Sequence, residues 1–97
     1  MRYEILLAPE AIEDLRLLKA SAREAVRDAI EVHLRHEPQK TSKSRIKRLR
    51  GLSKPEYRLR VGDTRVFYDV LGNTVQVLAI VIKSEAEQWL AQFGKPG

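Results

Sequence analysis

The feature that most constrains the fold is a strict two-residue alternation between Tyr57 and Val61. Tyr57, Leu59 and Val61 are apolar, whereas the two residues between them, Arg58 and Arg60, are basic. Side chains of a β-strand point alternately to opposite faces of a sheet, so this pattern predicts one face in a core and one cationic face outside it.

The residues that follow predict that this strand belongs to a β-meander. Gly62-Asp63 forms a turn before a second strand, Arg65–Val70, and a second turn follows at Gly72-Asn73, two residue types that tolerate positive φ. Val75–Ile82 is apolar on both faces, which is typical of a central strand. Ser84 then predicts the cap of a short final helix.

The N-terminal half has the opposite character, because a strand is followed there by helical periodicity. Arg2–Ala8 is rich in apolar residues and predicts a largely buried strand. Pro9 suits the first turn of a helix, and Ser21, with a glutamate three residues later, resembles the capping box of a second helix that runs to about Arg35. The short link at Ala20–Ser21 makes these helices an antiparallel hairpin.

Together these elements predict an α+β fold. An N-terminal strand and a two-helix antiparallel hairpin precede a three- to four-stranded, mostly antiparallel sheet and a short C-terminal helix, with both main helices on one face of the sheet. A length of 97 residues fits one domain, which we place at residues 1–93, and we expect residues 94–97 to be disordered.

Composition excludes several functions. The chain has no cysteine, which rules out disulfides and thiolate chemistry and is typical of a cytoplasmic protein. We expect no membrane association, because no apolar run approaches the ~20 residues that span a bilayer. We also expect no cofactor and no metal: no phosphate-binding loop or dinucleotide fingerprint is present, and His33 and His36 lack a second ligand cluster.

The positive charge is concentrated in one segment. Between Gln39 and Arg60 nine basic residues accompany the single acid Glu56, a net charge of +8, while the rest of the chain carries −3. Such a band is the footprint of a protein that binds a polyanion, although a solvated loop kept soluble by its charge has the same composition. The predicted RNA-binding cations of this band are Lys43, Arg45, Lys47, Arg48, Arg50 and Lys54.

Three arginines are candidates for chemistry on a phosphodiester. Strand geometry places Arg58 and Arg60 about 7 Å apart on one face, and a hairpin at Gly62-Asp63 brings Arg65 close to them. Guanidinium groups bind phosphate in bidentate fashion and stabilise the charge of a phosphorane transition state. A solvated polar sheet face is the alternative.

Two carboxylates flank the strand that carries Arg65. Asp63 lies in a turn, where aspartate commonly bonds to the backbone. Asp69 shares a face with Arg65, and we interpret it as a cross-strand partner of an arginine rather than as a catalytic base.

The same residues resemble the RelE/ParE family of bacterial toxins, of type II toxin–antitoxin systems. The segment KRLRGL at 47–52 is similar to the family's K-x-L-x-G run, and EYRLRVGDTRVFYDV at 56–70 is similar to its Y-R-L-R-x-G-x-Y-R-V-x-Y hairpin. The resemblance is closer to the RelE-type mRNA interferases. It implies a RelE-like fold over nearly the whole chain.

The resemblance also implies a function and partners. RelE-type members are metal-independent, ribosome-dependent endoribonucleases that cut mRNA, so the ribosome and mRNA are expected partners, together with a cognate antitoxin. Contact with operator DNA is expected through the antitoxin alone. Arg58 and Arg60 match the basic residues of the first hairpin strand, and Arg65 matches the arginine of the second.

After the last strand the family carries an end similar to G-x-R/H-R-x-x-x-Y. Lys83 stands in for the arginine of that end. Trp89 falls near the tyrosine, and its indole cannot exchange a proton at neutral pH. We interpret it as an RNA-stacking residue or as packing for the last helix.

Three hypotheses follow. The chain is an mRNA endoribonuclease with Arg58, Arg60, Arg65 and Lys83 in the catalytic site, a ParE-like inhibitor of DNA gyrase, or a non-catalytic RNA-binding member of the family.

Overall fold

The computed structural model describes residues 1–97 and shows the predicted α+β fold around one five-stranded sheet. Strands β1 and β6 are parallel, and every other pair in the sheet is antiparallel. The strand order is β1-β6-β5-β4-β2. In chain order the elements are β1 Glu4–Leu7, α1 Pro9–Leu17, α2 Ala20–Ala29 with a π-helical extension Ile30–Leu34, β2 Ile46–Arg48, β3 Leu52–Lys54, β4 Tyr57–Val61, β5 Thr64–Leu71, β6 Thr74–Ile82, α3 Lys83–Phe93 and β7 Lys95–Pro96.

Both meander turns lie where the sequence predicts them. Gly62 and Gly72 each occupy the first position of a two-residue loop with a φ near +60°. A left-handed φ at this position suits the twist of a hairpin and strains any residue with a Cβ. The turn at Gly62 sets the register that pairs Arg60 with Arg65.

The core lies on the face of the sheet that the two main helices cover. From the sheet it takes Tyr57, Leu59, Val66 and Tyr68, whose side chains are all buried. The rings of Tyr57 and Tyr68 stack with centroids 5.4 Å apart. The helices supply Ala11, Leu15, Val26, Ala29, Ile30 and Leu34.

A β-bulge in β6 reverses the alternation of that strand. Phe67 pairs with Ala79 while Tyr68 pairs with Val77, so Leu78 is an extra residue between them. Val75 and Val77 face the helix hairpin before the bulge, and Ile80 faces it afterwards. The Ile80 amide donates to Asp14 of α1 at 3.0 Å, which ties the first helix to the strand.

Helix α3 crosses the opposite face of the sheet. Trp89 lies flat on Phe67 of β5, with centroids 5.0 Å apart and planes 6° apart, and it also contacts Phe93. This aromatic stack covers one end of the face. The other end, toward the Gly62-Asp63 turn, stays open beside the start of α3.

The C-terminal residues differ from their prediction of disorder. Lys95–Pro96 pairs with β3 in a separate two-stranded sheet, and the Gly97 amide donates to the Gly51 carbonyl at 3.0 Å. The reason is spatial: α3 ends beside β3, whose backbone offers hydrogen-bond partners that a local pattern does not reveal.

Helix starts also deviate from the pattern. Helix α1 begins at Pro9 as predicted, but α2 begins at Ala20 without a side-chain cap, so the expected cap at Ser21 is wrong. Leu18 and Lys19 are both extended, which turns the chain before the expected position. Helix α3 likewise begins at Lys83, two residues before the start that a cap at Ser84 implies, so that expected cap is also wrong. None of the helices combines the length and apolarity required to cross a membrane.

Candidate phosphate-binding cleft

A cleft of about 590 Å³ lies between the sheet and the first two turns of α3. We call it the cationic cleft. It is lined by Leu49, Arg58, Asp63, Arg65, Phe67, Lys83, Ser84, Ala86, Glu87 and Leu90. Three of the four residues predicted to be catalytic therefore meet here, although they come from β4, β5 and α3.

Arg58 is the half-buried cation of the cleft. Its cross-strand neighbours are Lys47 on one side and Phe67 on the other, and its Nε is buried without a hydrogen-bond partner. Burial lowers the pKa of Arg58, and the nearby charges of Arg65 and Arg60 lower it further. The fold thus holds a partly desolvated guanidinium that has no counter-ion within the protein.

Arg65 is held in place by the turn that precedes it. The residue is 7% exposed, and its Nη1 donates to the carbonyls of Gly62 at 2.8 Å and Thr64 at 3.1 Å. These bonds fix the guanidinium without neutralising it, because both acceptors are uncharged. A second guanidinium nitrogen stays available for a ligand.

Lys83 reaches the cleft from the first residue of α3. Its amide donates to the Asp63 carbonyl at 2.8 Å, so the helix start and the β4–β5 turn are joined directly. Two carboxylates, Asp63 and Glu87, also line the cleft. None of the cleft's charged residues forms a salt bridge within the protein.

Arg60, the fourth predicted catalytic residue, lies just outside the cleft. It is exposed and directly opposite Arg65 in the β4–β5 register. Its charge adds to burial and to the charge of Arg65 in lowering the pKa of Arg58. The arginines of the hairpin therefore share one face, as the alternation predicts.

The remaining basic residues do not form one surface. Lys47 lies beside Arg58, but Arg48 points to the helix-covered face, with its guanidinium 5.3 Å from the Tyr57 ring centroid and 3.5 Å from a Glu56 carboxylate oxygen. Arg45 lines a separate pocket with His33, where burial and the arginine's charge lower the histidine pKa. Lys54 borders an apolar cavity beside Trp89 and Phe93, while Lys43 and Arg50 are exposed.

The position of the family's tyrosine needs a correction. A spacing of four residues after Lys83 leads to Glu87, which lines the cleft, and Trp89 lies two residues further along. Trp89 stacks on Phe67 and borders the cavity on the other side of α3. Glu87 is thus the site residue that sequence reasoning missed, and the spacing was the signal that could have found it.

Asp69 does not pair with an arginine, so that expectation is wrong. The β4–β5 register continues past Tyr57, and there Asp69 accepts a hydrogen bond from the Glu56 amide at 2.7 Å. Burial raises the pKa of Asp69 although this hydrogen bond opposes the shift. The Glu56 side chain in turn accepts a hydrogen bond from the Val70 amide. Both acids therefore bond to backbone amides where the two strands of the hairpin separate.

The fold and the cleft define a class of protein: a small α+β domain with a cleft lined by cations that form no salt bridge. The sequence places the chain within that class, because the family described as ParE toxin of type II toxin–antitoxin system, parDE, matches residues 5–88. The chain belongs to this family and so to the RelE/ParE superfamily. No curated protein is significantly similar to it in sequence.

Solved structures of toxins share the fold. RelE from the RelE–RelB complex of Pyrococcus horikoshii is 23% identical and superposes with a TM-score of 0.70 over 86% of this chain and 97% of that chain. A free Escherichia coli RelE, with two arginines replaced by alanine, is 23% identical with a TM-score of 0.70, covering 94% and 93%. The Staphylococcus aureus YoeB dimer is 17% identical with a TM-score of 0.63, covering 84% and 97%.

Proposed function

We propose that this toxin is an endoribonuclease that cuts mRNA on the ribosome and thereby inhibits translation. The observation that carries the proposal is the convergence of Arg58, Arg65 and Lys83 on one cleft in which no ion pair neutralises them. The fold keeps like charges together at a cost in stability. A phosphodiester is the ligand that relieves this repulsion.

The cleft suits the charge that develops during phosphodiester cleavage. Arg65 is fixed by two backbone carbonyls, and Arg58 is partly withdrawn from water. Preorganised donors in such surroundings stabilise an anionic transition state more strongly than mobile, hydrated ones. Arg58 and Arg65 therefore hold the scissile phosphate, while Arg60 adds charge at the rim.

RNA outside the scissile phosphate would meet basic residues that lie separately around the cleft. Lys47 extends the cleft across β2, and Lys43, Arg45, Arg50 and Lys54 supply further positive charge to ribosomal RNA or message. We assign Arg48 and Trp89 smaller roles in binding. Each already has a partner in the fold, namely Glu56 for Arg48 and Phe67 for Trp89.

Primer extension on a translating extract tests this function. The toxin should produce new 5′ ends within codons of the message, and Arg65→Ala should lower the cleavage rate about 10²- to 10³-fold because it removes a fixed donor to the transition state. Arg16→Ala is the matched control, since Arg16 is exposed on α1 and pairs with Glu13 far from the cleft. Intact message at concentrations that arrest translation contradicts the proposal.

We also propose a cognate antitoxin that covers the cationic cleft. The RelE structure from Pyrococcus horikoshii is a complex with RelB, and this chain exposes both uncompensated cations and large apolar residues on its helices, such as Leu17 at 72% exposure. An acidic, amphipathic segment would satisfy both features. Operator DNA would then be reached through the antitoxin.

Inhibition of DNA gyrase is the second candidate. Two observations favour it: the matching family is named for ParE, and Glu87 stands where RelE-type members carry a tyrosine. A supercoiling assay with purified gyrase separates the two functions. Loss of supercoiling or accumulation of cleaved DNA complexes at toxin concentrations that leave message intact supports gyrase as the target.

A further inference from the structure

Cleavage of RNA by its own 2′-hydroxyl requires a group that accepts a proton, and the arginines of the cleft cannot do so. A guanidinium keeps its proton at any physiological pH. Tyr68 is no substitute, because its hydroxyl is buried on the opposite face and donates to the Pro38 carbonyl at 2.6 Å. Among the residues that line the cleft, Asp63 and Glu87 carry the carboxylates, the side-chain groups that can act as general bases.

Helix α3 presents one of these carboxylates together with a proton donor. The cleft-lining residues Lys83, Ala86, Glu87 and Leu90 follow the i, i+3, i+4, i+7 spacing of a single helix face. Residues four apart lie about 5–6 Å from each other at their Cβ atoms and commonly form ion pairs when oppositely charged. Lys83 and Glu87 form none, so both charged groups remain available to a ligand.

We propose that Glu87 is the general base of the cleavage reaction and that Lys83 is its general acid. The inference rests on the proposed ribonuclease function and names the groups that move its protons. The Glu87 carboxylate takes the proton of the ribose 2′-hydroxyl, whose oxygen forms a bond to phosphorus. The bond from phosphorus to the 5′-oxygen breaks, and that oxygen leaves with the electron pair and takes a proton from the Lys83 ammonium group.

The protons and products balance. The upstream fragment ends in a 2′,3′-cyclic phosphate and the downstream fragment begins with a 5′-hydroxyl. Glu87 is left protonated and Lys83 neutral, and one proton transfer between these neighbours on α3 restores both. Asp63 is not a neighbour of Lys83 on the same helix face. It belongs to the β4–β5 turn, and its backbone carbonyl accepts the hydrogen bond that joins this turn to α3.

Single-turnover cleavage of ribosome-bound message tests the assignment. Glu87→Gln should cut the cleavage rate about 100-fold or more, because an amide cannot take the proton of the ribose 2′-hydroxyl. Glu85→Gln is the matched control, since Glu85 is exposed on the same helix and does not line the cleft. Message affinity and the unfolding midpoint should stay unchanged in both variants.

A message with sulfur in its scissile bond tests the assignment of Lys83 as the general acid. Replacing the 5′-oxygen of the scissile bond by sulfur gives a leaving group that departs without a proton. Lys83→Met should therefore lose about 100-fold or more on the ordinary message and recover most of that loss on the sulfur-bridged one. Glu87→Gln should recover little on the sulfur-bridged message, because its defect lies in the attack.

The possible outcomes distinguish the failure of this inference from the failure of the proposed ribonuclease function. A Glu87→Gln toxin that cleaves at the unmodified rate overturns the inference and leaves the ribonuclease function standing. So does an Asp63→Asn toxin that loses about 100-fold in rate while Glu87→Gln loses little. An unmodified toxin that leaves every message intact overturns both.

Discussion

The two faces of the β4–β5 hairpin are built from alternate residues of the same strands, yet they differ in almost every physical property. On the helix-hairpin side Leu59, Val66 and Tyr68 are fully buried and packed. On the other side Arg58 has a buried nitrogen without a partner, and Arg65 is held by carbonyls alone. One face is packed by the protein itself, and the other keeps arginines without counter-ions.

The difference separates the packed face, which stabilises the fold, from the face that carries the proposed site. Helix α3 covers the second face at its Trp89 end and leaves the Gly62 end open. A rigid packed face holds its reverse side in place, so the arginines keep their spacing in spite of their repulsion. We therefore expect substitutions on the two faces to have opposite effects on stability.

The largest effect on stability is expected for Leu59→Ala on the packed face. Truncating a fully buried leucine costs about 2–5 kcal/mol of unfolding free energy, through lost burial and a residual cavity. Urea denaturation followed by circular dichroism measures it. Leu17→Ala is the control, because Leu17 is 72% exposed. A cost for Leu59→Ala as small as that of the control would break the comparison.

A smaller change of opposite sign is expected for Arg58→Met on the open face. Methionine keeps the aliphatic volume and removes a partly desolvated charge that faces Arg65 and Arg60, so the free energy of unfolding should rise by about 0.5–2 kcal/mol. Cleavage should fall at the same time. Arg16→Met, on an exposed ion pair, should change both quantities little. A destabilised Arg58→Met protein would show that the cleft is not strained.

The smallest effect is expected for Asp69→Asn, and it depends on pH. Burial raises the pKa of Asp69, so the folded protein binds this proton more tightly than the unfolded chain does. Its contribution to stability is therefore present at low pH and is lost as the pH rises through the folded pKa. Asparagine keeps an oxygen for the Glu56 amide and does not titrate. The stability of the variant relative to the unmodified protein should rise with pH above the usual aspartate range, as denaturation curves at several pH values would show.

The contents of each face could be predicted because alternation is local. The alternation from Tyr57 to Val61 predicts which side chains of the strand face the core, and the glycine turns set the register of the strands that follow. The partner of Asp69 could not be predicted in this way, because it depends on counting that register past the end of the alternating run to Glu56. The pairing of Lys95–Pro96 with β3 is more remote still, since those strands are distant in sequence.

The residues of the cationic cleft also differ in how far the sequence predicts them. Its arginines follow from the strand pattern, whereas the residues that α3 adds depend on where the helix begins. A start at Lys83 places Glu87 in the cleft and Trp89 on Phe67, whereas the expected cap at Ser84 puts the first helical residue at Glu85. Helix phase is sensitive to single residues, because each one rotates the side chain by about 100°.

The bulge at Leu78 bears on how such a toxin can diversify. It shifts the alternation of β6 by one residue just before the chain enters α3, so the helix inherits its rotational setting from a single inserted amino acid. Deleting that amino acid would leave a regular strand while turning Lys83 and Glu87 away from the hairpin. We therefore expect a length change in this strand to disturb the cleft more than an exchange of one apolar residue for another.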